Sequence, residues 1–227
     1  MKKLLPLFLI FAFIQIFSQE YHFDHFVKRK NMRIKPDYQQ WIADSFYDSA
    51  TTSKLVLNVR DKKVTSAIFQ RDKNMRHIFS VIQSGDHMSF VYKYTNKFKD
   101  NGKKFEDYNN ENVIRVEKID SANYKITAFK NFRLRQKKIT LIITLEKSDF
   151  KYTNINADYN RINEMEEKLK ELLDPDSKYI IRREQIEYSS GYLFDNSLID
   201  IQKVNLTIKI PEKLILKDYS YVSDIEE

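Results

Sequence analysis

Apolar residues recur at every second position along most of this chain. Leu55, Leu57 and Val59 alternate with Lys54, Val56, Asn58 and Arg60, and Ile139, Leu141, Ile143 and Leu145 alternate with Thr140, Ile142, Thr144 and Glu146. In an extended backbone successive side chains point to opposite faces, so this spacing builds strands with one apolar face. Further runs share it: Val64 to Phe69, then Met75, His77, Phe79 and Val81, then Met88, Phe90, Tyr92 and Tyr94. Short polar turns separate them, at Asp61-Lys62-Lys63, Arg71-Asp72-Lys73-Asn74 and Ser84-Gly85-Asp86. Turns this short join antiparallel neighbours, because parallel strands need long crossovers. Val113 to Ile119, Tyr124 to Phe129, Lys178 to Tyr188 and Val204 to Ile210 continue the pattern, and Pro211 ends it by removing a donor. Residues 96 to 112, with Asn101-Gly102 among Lys, Asp and Asn, read as a long exposed loop.

One segment breaks the period. Between Asp158 and Leu173, the residues Ile162, Met165, Leu169, Leu172 and Leu173 fall mostly three and four apart, with Glu and Lys on the other faces. Asn156 or Asp158 stands where a helix cap is needed, and Asp174-Pro175 stops the segment. An apolar helical stripe must cover something, and the sheet's apolar face is the nearest candidate. The expected fold is mainly β: an antiparallel curved sheet or half-barrel meander with one late amphipathic helix packed on its apolar face.

The N-terminus carries a different signal. Lys2 and Lys3 precede an uncharged apolar run from Leu4 to Phe17, and Ser18 offers a small residue before Gln19-Glu20. That order is the one a cleaved export signal uses. As a helix the run spans roughly 21 Å, short of a hydrocarbon core of roughly 30 Å. An uncleaved anchor is the competing reading. The chain has no Cys, so neither disulfides nor a lipid-bearing cysteine after the cut is expected. The expected organisation is a signal peptide over 1–18, one β-rich domain over 19–221 and a loose tail over 222–227. The expected location is periplasmic or secreted, without a lipid anchor and without a transmembrane span after cleavage. Losing Lys2 and Lys3 lowers the net charge from +7 to +5, a mildly basic mixed surface.

No catalytic constellation is legible. There is no thiol, no Gly-x-Ser-x-Gly elbow and no His-Glu-x-x-His helix. His22, Asp24 and His25 come closest to a metal or acid–base cluster, with His77 and His87 as the other histidines. Zinc needs three or four converging ligands, and polar residues of an edge strand are the plainer reading. No cofactor is expected. Phe129 to Lys138 interleaves Phe129 and Phe132 with the cations Lys130, Arg133, Arg135, Lys137 and Lys138. Export argues against nucleic acid, leaving contact with anionic lipid head groups or an ordinary solvated strand face. Trp41, the sole tryptophan, reads as a core anchor or as the wall of a ligand cavity.

The element order, a long antiparallel meander with a helix late in the chain and more strands after it, resembles open half-barrels of the periplasmic lipoprotein-carrier type. That resemblance implies a curved sheet around an apolar face partly plugged by helix. The segments Tyr21-His22-Phe23-Asp24 and Ile208-Lys209-Ile210-Pro211-Glu212-Lys213, with the Phe17-Ser18-Gln19 junction, look like uncharacterised exported proteins of Bacteroidetes-type bacteria. Neither resemblance carries over a functional residue. The expected function is an exported, non-catalytic protein that binds an apolar or lipid-like ligand between sheet and helix. Met88, Phe90, Tyr92, Ile143, Met165 and Leu169 are the candidate contacts. A closed core made of the same residues is the bland alternative. A cell-envelope structural or protein-interaction module, working through sheet edges or the 96–112 loop, is the second reading, and a hydrolase is the third.

Overall fold

A computed structural model describes residues 19–60, 63–70, 73–85, 87–98 and 111–218. The expected leader, much of the 96–112 loop and the expected tail lie outside these residues. Twelve strands form one sheet: β1 (Glu20–Lys35), β2 (Gln39–Tyr47), β3 (Lys54–Arg60), β4 (Lys63–Gln70), β5 (Met75–Ser84), β6 (His87–Lys97), β7 (Val113–Lys118), β8 (Asn123–Phe129), β9 (Lys137–Ser148), β10 (Lys178–Tyr188), β11 (Leu193–Lys209) and β12 (Leu216–Asp218). Their order across the sheet is β12-β6-β5-β4-β3-β2-β1-β11-β10-β9-β8-β7, so the curved sheet stays open, with β7 and β12 at its edges. Every pairing is antiparallel except β12 with β6. The described residues are mainly β with one helix, α1 (Ile162–Lys170), between β9 and β10.

The core divides into three packings. In the first, Ile162, Met165 and Leu169 of α1 lie on Tyr124, Ile126, Ile139, Leu141, Ile143 and Ile186 from β8, β9 and β10. In the second, Phe46, Leu55, Ile68 and Phe79 meet Phe23 from the start of β1 and Ile208 from the end of β11. Val27, Tyr47, Tyr152, Ile180 and Leu198 join the two. The longest strands, β1 and β11, hold this arrangement, pairing from Glu20↔Lys209 to Lys35↔Leu193.

Local chemistry refines several expectations. The helix begins at Ile162, not near Asp158, and Arg161 at its N-cap makes no capping bond, its guanidinium donating to Glu164 and the Asn112 carbonyl instead. Upstream donors bond elsewhere: Ile155 N–H to Glu166, Asn156 N–H to Glu184 and Asp158 N–H to Tyr188 Oη. Those bonds hold residues 154–158 as a strap across the sheet. Asn96 lies in β6 and is buried, so the expected loop starts later. A bulge pairs Phe79 with Tyr92 but Ile78 with Tyr94, which puts Tyr94 on the face opposite Tyr92. Trp41 is no core anchor: 44% of it is exposed, because β2 pairs with β3 only from Ser45 onward.

Candidate functional site

The register sets a row of polar residues inside the molecule. Asn31 of β1 stands opposite Asn196 of β11, Asn196 opposite Glu184 of β10, and Glu184 opposite Ile143 of β9. Arg29 lies one step along the same face of β1. Its Nη2 donates to Glu184 Oε1 at 2.8 Å, with both side chains buried. Glu184 also accepts from Asn196 Nδ2 at 3.2 Å and from the Asn156 N–H at 3.1 Å. The carboxylate is therefore well satisfied, as a buried charge must be.

Its surroundings are less complete. Among the described residues, Arg29 Nε, Asn31 Oδ1 and Asn196 Oδ1 are buried without a hydrogen-bonding partner, and the Tyr152 hydroxyl faces the Arg29 guanidinium. The Arg29 guanidinium lies 5.9 Å from the Tyr152 ring centroid, and Lys54 Nζ lies 5.2 Å from it. Burial alone raises a phenol, yet the charges of Lys54 and Arg29 outweigh it and hold Tyr152 below its ordinary value. Burial opposes charge on Arg29 as well, but attraction to Glu184 wins and raises its pKa. Tyr47 shows the opposite balance: burial, then the neighbouring Tyr152 and nearby acids, push it up. Its ring meets Tyr152 edge-on at 4.8 Å, and its hydroxyl donates to Asn154 Oδ1 at 2.9 Å.

In front of this interior, a groove of about 740 Å³ opens between β3, β4 and the strap with α1. Val56, Ala67 and Phe69 form part of the sheet wall, and Ile155, Asn156 and Ile162 part of the facing wall. Lys54, Arg76 and Glu166 add charge. Groove and buried network touch through two residues: Lys54 covers Tyr152, and Asn156 donates to Glu184. The volume falls within the range of small-molecule sites, and the walls mix apolar with polar groups. Such a surface suits a ligand with a greasy portion and a polar end.

The six apolar residues singled out in the sequence do not meet in one place. Ile143 of β9 and Met165 and Leu169 of α1 sit at 0–1% exposure where the helix meets the sheet, whereas Met88, Phe90 and Tyr92 pack partly buried against the Phe46–Phe79 cluster. None of the six lines the groove. Lys130, Arg133, Arg135, Lys137 and Lys138 are all exposed, in or beside the β8–β9 loop. Asp24 binds the Ser49 N–H and hydroxyl and lies 2.8 Å from His25 Nδ1, and His25 stacks on Phe150. His22 contacts Thr207, His77 contacts Thr95 in the interior, and His87 is exposed. Among the described residues no three His, Asp or Glu side chains gather as metal ligands would.

Sequence reading missed Arg29, Asn31, Glu184 and Asn196. The available signal was the β1 alternation itself, in which His25, Arg29 and Asn31 occupy the same face as Phe23 and Val27.

No family model matches the chain, and no curated protein matches it. Among solved structures, it is similar to a LolA superfamily protein from Nitrosomonas europaea. The two share 10% identity, with 81% of this chain and 87% of that one covered, at a TM-score of 0.23.

Proposed function

We propose that this chain is an exported, non-catalytic binding protein that holds an amphipathic, lipid-like molecule in the groove between β3, β4 and the strap. The observation that carries the proposal is the groove of about 740 Å³, backed by a buried network with unmatched donors and acceptors. The ligand's apolar part would lie on Val56, Ala67, Phe69 and Ile162, with its polar end toward Lys54 and Asn156. The export expectation supports an envelope or extracellular setting, where the leader before Gln19 would be removed. The test is solvent extraction of the purified protein followed by mass spectrometry, together with titration of a fluorescent fatty acid. Bound lipid, or probe binding weakened at least tenfold by Ala67→Trp, is the expected result. A ligand-free protein that ignores the probe, or an Ala67→Trp variant that binds it as well as the parent, sinks the reading.

A further inference from the structure

Register brings three hairpin ends to one end of the sheet. The β1–β2 connection follows Lys35, which pairs with Leu193, where β11 begins. The β10–β11 turn follows Tyr188, which pairs with Ile139, and Ile139 pairs in turn with Ala128 next to the β8–β9 loop. The strand order β2-β1-β11-β10-β9-β8 makes these three connections neighbours along a single rim. That rim displays large apolar side chains: Phe132 is 78% exposed, Tyr38 65%, Ile42 50%, Trp41 44% and Tyr192 40%.

The β8–β9 loop adds charge to the same rim. Lys130, Arg133, Arg135, Lys137 and Lys138 are exposed, and residues 130–138 contain no acid. None of the five forms an ion pair among the described residues. The loop is also shaped. Asn131 Oδ1 accepts the Arg133 N–H at 3.1 Å, the Lys130 N–H reaches Gln136 O at 2.8 Å, and Leu134 takes φ 55°. These constraints hold Phe132 at the loop's turn. Opposing charge is sparse: Asp37 is bonded to Arg33 at 2.5 Å, and Asp195 to Arg183. Glu187 is the exposed acid on neighbouring β10.

We infer that this rim docks on an anionic phospholipid surface, with the five cations drawn to head groups and Phe132, Tyr38 and Trp41 entering the interfacial layer. Aromatic rings favour that layer because it offers an apolar side and a wet side together, and each cation near an anionic bilayer adds attraction. The inference is independent of the groove, which lies between other elements.

Co-sedimentation of the full chain with phosphatidylcholine vesicles, with and without phosphatidylglycerol, tests it. Wild type and variants share the same N-terminus, so any leader affects all alike. Binding should need phosphatidylglycerol, fall with added salt, and weaken by roughly 25-fold in Lys137→Gln/Lys138→Gln, at about fivefold per cation. Phe132→Ser should weaken it further at every salt concentration, and unchanged thermal unfolding would show both variants intact. If the double variant fails to fold, Phe132→Ser and the salt series decide alone. Equal binding to neutral vesicles, wild-type binding by the variants, or capture of a single-stranded oligonucleotide in preference to vesicles would overturn the inference.

Discussion

Glu184 shows what a single residue does in this interior. It is completely buried, bonded to Arg29, Asn196 and the Asn156 N–H, and so ties β10 to β1, β11 and the strap. Removing one partner of a buried ion pair leaves an uncompensated charge, which costs about 3–5 kcal/mol. Glu184→Leu should lose stability in that range in urea unfolding, with Arg29 stranded. Adding Arg29→Met removes the stranded charge, so the double variant should be more stable than Glu184→Leu alone. A double variant less stable than the single one would show that the pair's charge does not dominate. At this scale the sequence was least informative. Polar residues are read as solvent-facing by default, and nothing local says that Arg29 and Glu184, 155 residues apart, share a face. The aliphatic positions of β9 were readable because each is buried for its own apolar character, whatever its partner.

At the scale of elements, period two located the strands wherever one face is apolar and the other polar. Strand β9 follows it closely, with Ile139, Leu141, Ile143 and Leu145 buried in alternation. It failed for the first half of β11, where Asp195, Asn196 and Leu198 are buried together, and where alternation by hydrophobicity therefore disappears. The helix was legible in its stripe and not in its start, because side chains distant in sequence capture the N–H groups of Ile155, Asn156 and Asp158. Met165 sits at the centre of that stripe with 0% exposure, against the sheet cluster of Ile126, Leu141 and Ile143. Met165→Ala should cost about 2–5 kcal/mol in denaturant unfolding, the range for truncating a buried side chain onto a cavity. Leu172, 43% exposed just beyond the helix, should tolerate Leu172→Ala with a much smaller loss. Equal losses for the two would mean that α1 is not seated on the sheet by its apolar stripe. They would also remove one wall of the groove from the functional argument.

For the molecule as a whole, the question is whether the packing beneath α1 and the packing around Phe79 fold as one. The meander order alone does not answer it, since β3–β6 and β7–β10 are each continuous runs. The long strands do. Among the described residues β11 supplies Phe194 to the first packing, Leu198 and Ile201 to the joining cluster, and Val204, Leu206 and Ile208 to the second. Strand β1 is paired to it over nearly its full length and contributes Phe23 and Val27. Separating the two packings would strip these strands of their neighbours on one side, so unfolding should be a single transition in which secondary and tertiary signals coincide. Phe79→Ala in the second packing and Ile126→Ala in the first should each lower that one midpoint, with losses of stability of about 3–5 and 2–5 kcal/mol respectively. Neither should split the transition. The check is urea unfolding followed in parallel by far-ultraviolet and near-ultraviolet circular dichroism. Should Phe79→Ala produce an early step that leaves the α1 packing intact, the two would be separable units. The seam of β1 and β11 would then act as a hinge between them, and a groove walled by β3, β4 and α1 would open and close with it.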